Sequence, residues 1–271
     1  MTATTRLVQP VDLCLPSLPV ELEGLRIAHL SDLHIRGPRR RFTHLRALMG
    51  NLRVDLVVLT GDYMTKNGDE QVATAMMHQL CLAMKPQLGV YGVFGNHDTP
   101  QLRHQCSDLP IHWLNNQSHL FDGLPLCIMG FEADSTAKPD SVATIINLDN
   151  NGPDPVDDKG PKPFSLLLCH YPNYLPIVAD MGVNVMIAGH THGGQWRFPG
   201  RRPFTNSCDL PLRLTAGIMR HRNTLAVVTR GLGESRLPLR LFCPPQLPIY
   251  TLREGPMRGQ ETDHIDCIER W

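Results

Sequence analysis

Residues 183–192 read VNVMIAGHTH, a short apolar run that ends abruptly in a glycine and two histidines. Similar apolar runs, each followed at once by turn-forming or polar residues, recur along the chain. Runs of this length with turn residues at their ends predict strands that are buried on both faces of a sheet. The runs are residues 25–30, 54–60, 90–94, 165–169 and 183–188.

Helical patterns separate some of these runs. Apolar residues recur at intervals of three and four over residues 42–52 and, more loosely, over residues 72–84. Strands that alternate with helices predict an α/β fold, with parallel or mixed sheets covered by helices. In open sheets of this kind ligands gather at the carboxyl ends of the strands, and every polar cluster follows an apolar run. We therefore expect the clusters to meet at one site.

The composition narrows the class of protein. The chain has 271 residues, of which 42% are hydrophobic, so it can form a sizeable core. Its formal net charge is zero, which argues against a nuclease and against a nucleic-acid partner. Eight scattered cysteines are typical of free thiols in a reducing compartment. Neither a secretory pattern nor a run of ~20 apolar residues is present, so we expect a cytoplasmic protein, with peripheral membrane contact left open.

The polar clusters contain side chains that bind divalent metals. A mixed set of carboxylate, amide and imidazole groups suits manganese, iron or zinc, and the lack of thiolates argues against a structural zinc site. Seven candidate ligands are too many for one catalytic ion but suit two ions that share a carboxylate. Two ions ~3.5–4 Å apart activate a water and stabilise both reacting oxygens, which favours phosphoryl chemistry. The candidates are Asp32, His34, Asp62, Asn96, His170, His190 and His192.

In order along residues 25–195, these clusters resemble the signature of the calcineurin-like metallophosphoesterases. Each piece alone is common by chance, whereas five in order, each after an apolar run, are specific. The resemblance implies a four-layer α/β sandwich of two mixed β-sheets flanked by helices. It also implies an enzyme that hydrolyses phosphoester or pyrophosphate bonds with two divalent metal ions. The matching pieces are Asp32-x-His34, Gly61-Asp62, Gly95-Asn96-His97-Asp98, His170 and Gly189-His190-Thr191-His192.

The resemblance also implies a role for each residue. Asp62 bridges the two ions, and a hydroxide held between them attacks phosphorus. His97 is the catalytic residue, acting as general acid or as a donor to the leaving oxygen, and Asp98 orients a neighbouring group. Manganese is the expected metal, with iron, zinc and magnesium as alternatives. The remaining ligands divide between a first ion, bound by Asp32, His34 and His192, and a second, bound by Asn96, His170 and His190.

One departure from the family pattern concerns His97. The phosphatase subset of the family carries a further Asp, in a GDxxDRG motif, that supports the general acid. This chain reads GDYMTK over residues 61–66, so Thr65 stands where that Asp would be. The departure points away from the phosphoprotein phosphatases and leaves open which group tunes His97.

The later part of the chain bears on the substrate. Residues 193–195 (GGQ), 230–233 and 237–242 resemble a bacterial branch of membrane-associated and cell-wall phosphodiesterases. That branch includes enzymes that cleave the pyrophosphate of UDP-2,3-diacylglucosamine in lipid A synthesis, which implies a lipid-linked nucleotide diphosphate as substrate. A general phosphodiesterase or a nucleotide hydrolase is the alternative. A non-catalytic metal-binding scaffold is disfavoured, because every metal position and His97 are filled.

Two arginine clusters flank the expected site. We predict that they bind phosphate or diphosphate, and a solvated charged face is the alternative. Trp196 and Phe198, beside the second cluster, are expected to form the core of a small cap, and packing against a base or an acyl chain is the alternative. The candidate substrate-binding residues are Arg36, Arg39, Arg40, Arg197 and Arg201.

The chain divides into three regions. Residues 1–24 contain several prolines and little periodicity, which predicts an extended N-terminal segment. Residues 25–254 form the metallophosphoesterase domain, within which the arginine-rich residues 196–222 are expected to form a loop or small cap near the site. Residues 255–271 are polar and are expected to be a poorly ordered tail.

Overall fold

Two mixed β-sheets face one another at the centre of the fold. The computed structural model describes residues 7–38, 40–131, 162–200, 202–235 and 237–271. The first sheet has six strands, in the spatial order β1 (Val8–Leu15), β12 (Leu247–Glu254), β2 (Arg26–Leu30), β3 (Leu56–Thr60), β4 (Val90–Val93) and β5 (His112–Trp113). The second has seven, in the order β13 (Asp266–Arg270), β10 (Gly217–His221), β11 (Thr224–Val228), β9 (Val185–Ala188), β8 (Phe164–Cys169), β7 (Leu126–Phe131) and β6 (Gln117–Leu120).

The strands that lead into the site run parallel. In the first sheet β2, β3, β4 and β5 are parallel neighbours, and β12 is antiparallel to β2 but parallel to β1. In the second sheet β7, β8, β9 and β11 are parallel, and antiparallel strands close both edges. Because the carboxyl ends of parallel strands share one edge of a sheet, the polar loops after them lie side by side.

Helices complete four layers. Helices α1 (Arg40–Asn51), α2 (Glu70–Ala83) and α3 (Pro100–Cys106) cover the outer face of the first sheet, and α4 (Leu175–Asp180) covers the second. The core between the sheets contains side chains from both, such as Val58 of β3 and Leu168 of β8. The prediction of a four-layer α/β sandwich is confirmed, as are the strands and helices expected from the apolar patterns.

The domain extends further than the sequence indicates. The segment before residue 25 contains β1, whose Val11, Leu13 and Leu15 are buried in the central core. The expectation of a poorly ordered tail is wrong, because β13 pairs with β10 and Trp271 is buried beside Tyr250. Residues 196–222 also divide: the first part forms a loop beside the site, and its last residues include β10.

Candidate functional site

The polar loops at the ends of β2, β3, β4, β8 and β9 meet in one place. Five of the predicted metal ligands have positive φ angles, between 44° and 71°, a region that non-glycine residues rarely adopt. Strained backbone of this kind persists only where the surrounding structure enforces it, and it concentrates at functional sites. The five are Asp32, His34, Asp62, His190 and His192.

One group of potential ligands contains Asp32, His34, Asp62 and His192, all of them buried. The Nε2 atoms of His34 and His192 are 3.0 Å apart. Nε2 of His192 lies 3.4 Å from Asp32 Oδ1, and Nε2 of His34 lies 3.5 Å from Asp62 Oδ2. Four donor atoms therefore converge on one small volume.

A second group contains Asp62, His170 and His190. The Nε2 atom of His170 lies 3.3 Å from Asp62 Oδ2 and 3.2 Å from Nδ1 of His190. The same carboxylate oxygen of Asp62 thus faces a histidine of each group. These are the two groups of potential ligands that occur among the described residues, and Asp62 is their common member.

The donor atoms fit divalent ions. Ligands bound at about 2.1 Å around one ion lie about 3.0–3.4 Å apart in octahedral to tetrahedral geometry, close to the separations found here. The far ring nitrogens of two histidines are fixed by carbonyl oxygens, which only accept hydrogen bonds. Nδ1 of His170 donates to Thr60 O at 2.7 Å, and Nε2 of His190 donates to Ser207 O at 3.0 Å. The nitrogens that face the centre are then free to bind metal.

Burial and mutual charge set the protonation of these groups. Burial lowers the pKa of His34 to about 3 and that of His190 to about 4, so both imidazoles are neutral, the form that binds metal. Burial opposes the charges of Asp62 and His170, but their attraction outweighs it. The pKa of His170 rises to about 9, and the pKa of Asp62 is held well below its usual range. Without metal, these two residues form a buried ion pair.

Asn96 differs from the other predicted ligands because its side chain is exposed. It lies in the loop after β4, immediately before His97. The main-chain N–H of His97 donates to Asp62 Oδ1 at 2.9 Å, so the loop that carries Asn96 is attached to the shared carboxylate. Its role as a ligand stays a prediction.

His97 lies at the edge of the first group, with its ring 5.0 Å from that of His34 in an edge-on arrangement. Its Nδ1 donates to the main-chain oxygen of Thr65 at 2.7 Å. Thr65 stands where the phosphatase motif has Asp, so a backbone carbonyl orients the imidazole that the Asp side chain would otherwise support. The side chain of Thr65 contacts Nδ1 of His34 at 3.4 Å.

Asp98 fastens the loop after β3 to the loop after β4. Its Oδ2 accepts hydrogen bonds from the backbone N–H groups of Asp62 (2.8 Å) and Gly95 (2.7 Å). Its Oδ1 accepts from Tyr63 at 2.8 Å and more weakly from Met64 at 3.4 Å. Burial, together with the nearby charge of Asp62, raises the pKa of Asp98 to about 7. Asp98 therefore positions the backbone of Asp62, the residue common to both groups of potential ligands.

Several supporting residues have no signature in the sequence. Ser31 Oγ donates to Asp32 Oδ2 at 2.7 Å, and it accepts a hydrogen bond from Thr60 Oγ1 at 2.8 Å. Arg240 is half-buried, and its Nη2 lies 3.3 Å from Nδ1 of His192. Only the resemblance of residues 237–242 to the bacterial branch gives a sequence signal for Arg240. The carbonyl partners Thr60 and Ser207 give none.

The arginines predicted to bind substrate differ in their burial and contacts. Arg36 is half-buried beside the site, where its Nε donates to Thr65 Oγ1 at 3.0 Å. Arg40 is exposed in the first turn of α1. Arg197 is buried, and its guanidinium donates to the main-chain oxygens of Gly193 and Trp271. Arg197 ties Trp271 to the loop after β9, and this buried position corrects its predicted substrate-binding role. Arg39 and Arg201 lie outside the described residues.

The prediction that Trp196 and Phe198 form the core of a cap is also corrected. Phe198 is 50% exposed and packs its ring against that of Phe204, so it lies on the surface. Trp196 is half-buried and donates from Nε1 to Leu239 O at 2.9 Å. The loop therefore presents aromatic side chains outward beside the site.

The fold and site together define a hydrolase with a potential binuclear metal site. The family model of the calcineurin-like phosphoesterases matches residues 25–194, and the chain belongs to this family. It is 24% identical to the uncharacterized metallophosphoesterase YkoQ of Bacillus subtilis (strain 168), over 84% of this chain and 83% of that protein. It is 25% identical to the phosphodiesterase YaeI of Escherichia coli (strain K12), over 84% and 82% respectively.

One relative is named as a transmembrane protein. The transmembrane protein with metallophosphoesterase domain of Danio rerio is 26% identical, over 92% of this chain and 57% of that protein. Among the helices of the described residues, none has the length and apolar character needed to cross a bilayer.

Proposed function

We propose that the chain hydrolyses phosphodiester or pyrophosphate bonds at a two-metal site whose halves share Asp62. The observation that carries this proposal is the position of Asp62 Oδ2, within 3.5 Å of a histidine nitrogen from each ligand group. When bound, two divalent ions supply an activated water and neutralise charge on the phosphoryl oxygens. The mixed oxygen and imidazole donors favour manganese, with iron, zinc and magnesium as alternatives.

The protein's own groups would then act as follows. His170 and His190, held by carbonyl oxygens, keep their inner nitrogens directed at the second ion, and Asn96 adds an amide oxygen from the loop after β4. His97, oriented through Nδ1 by Thr65, directs its Nε2 away from that hydrogen bond and donates a proton to the leaving oxygen. Arg36 adds positive charge beside the site for the substrate's phosphate.

For the substrate, we propose a lipid-linked nucleotide diphosphate such as UDP-2,3-diacylglucosamine. This choice is supported by the resemblance of residues 193–195 and 237–242 to that branch, and by exposed apolar side chains next to the site. A general phosphodiesterase is the second candidate, favoured by the relative named as a phosphodiesterase. The eight free cysteines support a reducing, cytoplasmic setting.

The experiment compares three substrates with one preparation. Metal-free protein is supplied with Mn²⁺ and assayed on a chromogenic phosphodiester, on UDP-glucose and on UDP-2,3-diacylglucosamine in detergent micelles. We expect metal-dependent turnover, with the highest kcat/KM on the lipid-linked substrate. Equal turnover of the soluble diester and the lipid would favour the general phosphodiesterase. No turnover of any substrate, with Mn²⁺ or Mg²⁺, would leave a metal-binding scaffold and end the enzyme proposal.

A further inference from the structure

Six large apolar side chains stand exposed beside the metal site. They come from two neighbouring segments, residues 196–204 and 237–242, and we call them the apolar rim. Between 43% and 58% of each side chain is exposed, and clustered exposure of this kind marks interaction surfaces. The members are Phe198, Phe204, Leu237, Leu239, Leu241 and Phe242.

The apolar rim is held in place by hydrogen bonds between its two segments. Gln195 Nε2 donates to the main-chain oxygens of Leu237 (3.0 Å) and Leu239 (3.1 Å), and the backbone N–H of Arg197 donates to Leu241 O at 2.9 Å. The N–H of Leu241 donates in turn to Gln195 O. Because these polar groups are already paired, the surface can enter an apolar environment without leaving them unsatisfied.

The apolar rim borders the site directly. Leu239 and Leu241 point outward, while Arg240 between them turns inward to His192. The loop that carries these residues is therefore in contact with a predicted metal ligand. A molecule that covers the apolar rim would lie against the mouth of the site.

The charge of the two segments indicates what covers them. Residues 196–204 and 237–242 contain four arginines and no acidic residue. Arg202 is exposed between Phe198 and Phe204, whereas Arg197 is buried and Arg240 is half-buried. Aromatic and aliphatic side chains interleaved with arginines match the interface of an anionic bilayer, where acyl chains and phosphate groups lie at adjacent depths.

We propose that the apolar rim docks on the surface of an anionic lipid bilayer and turns the metal site toward the lipid phosphates. The catalytic consequence rests on the proposed function, which this docking deepens by naming the partner. The side chains of the apolar rim enter the interface, and Arg202 pairs with lipid phosphate. The candidate substrate is then met in the plane of the membrane.

The test is flotation of the full chain with vesicles. Vesicles of equimolar phosphatidylcholine and phosphatidylglycerol should carry the wild type upward, and pure phosphatidylcholine should carry less. Leu239→Asp combined with Phe242→Asp should lower the bound fraction at least about tenfold. Arg202→Glu should lower binding to the anionic vesicles about fivefold. Leu82→Asp, at a 66% exposed leucine on α2, is the matched control and should bind as wild type.

Each outcome decides between occupants. Loss of flotation in the double variant and weaker flotation of Arg202→Glu, with Leu82→Asp like the wild type and with circular dichroism and thermal midpoint unchanged in all variants, support the docking. The docking proposal is overturned if the wild type does not float with the vesicles. It is also overturned if the double variant floats as well as the wild type does. A wild type that sediments as a dimer and a double variant that sediments as a monomer would also overturn the docking, because the apolar rim would then bind a second copy of the chain. Flotation without hydrolysis would remove only the proposed function, and hydrolysis without flotation only the docking.

Discussion

The fastening of two loops by Asp98 yields a quantitative prediction for Asp98→Asn. Asparagine keeps one acceptor oxygen and replaces the other with an NH₂ donor. If the amide oxygen of the introduced asparagine accepts from the N–H groups of Asp62 and Gly95, its NH₂ group faces two other donors. These are the N–H groups of Tyr63 and Met64. The 2.8 Å bond from Tyr63 is lost, and a bond to a charged acceptor contributes about 1.5–3 kcal/mol. The two remaining bonds are also weakened by loss of charge, so the hydrogen bonds account for about 2–4 kcal/mol. Because burial raises the pKa of Asp98, its charge costs stability at alkaline pH that the neutral amide does not, and we expect a smaller net loss of about 1–2 kcal/mol.

The assay is urea unfolding of metal-free protein at a pH of about 8, above the pKa of Asp98 of about 7. Asp108→Asn, at an exposed carboxylate after α3, is the matched control and should change the free energy of unfolding by less than about 0.5 kcal/mol. The variant should also bind metal more weakly, because the backbone of Asp62 loses its support. An Asp98→Asn protein as stable as wild type would refute the reasoning.

Three further predictions concern the site. His97→Ala should retain its metal but lose about 10²–10⁴-fold in kcat, since general acid catalysis contributes that much; full activity, or loss of metal, would contradict its role. Gly95→Ala should reduce metal content, because a Cβ there would collide with Asp62 Oδ1. Gly50→Ala, in α1 with nothing nearer than 3.7 Å, should leave it unchanged, and equal effects would refute the packing argument. Metal binding should release about one proton near neutral pH, because His170 is protonated below its metal-free pKa of about 9 and must be neutral to bind. Affinity should therefore rise with pH up to that value. Calorimetry in buffers of different ionisation enthalpy measures the release, and none would contradict the ion pair with Asp62.

The parts of the fold that the sequence predicts are those with strong local patterns. Strands β3, β4 and β9 are buried along their whole length and β2 and β8 along most of it, so each is a largely apolar run. The edge strands give a weaker signal. In β1 buried and exposed residues alternate around Pro10, which a sheet tolerates at its edge, and β13 is mostly polar. Their partners are distant in the chain, so pairing could not be seen locally.

In the site, too, features with a local sequence pattern could be predicted and features without one could not. Candidate side-chain ligands such as His190 and His192 are recognisable by residue type and spacing. The group that orients His97 is the carbonyl of Thr65, and a backbone atom has no residue type to reveal it. Arg197 was misassigned because its partner Trp271 lies 74 positions away, so nothing nearby in the sequence indicates a buried guanidinium.

In the proposed function, Asp62 joins two metal ions in one site. The most direct measurement is metal stoichiometry, by elemental analysis, of the wild type and of Asp62→Ala after reconstitution with Mn²⁺ and removal of unbound metal. We expect two ions per wild-type chain, and fewer than one ion and loss of turnover in Asp62→Ala. Two ions retained by Asp62→Ala, or a single ion in an active wild type, would contradict it.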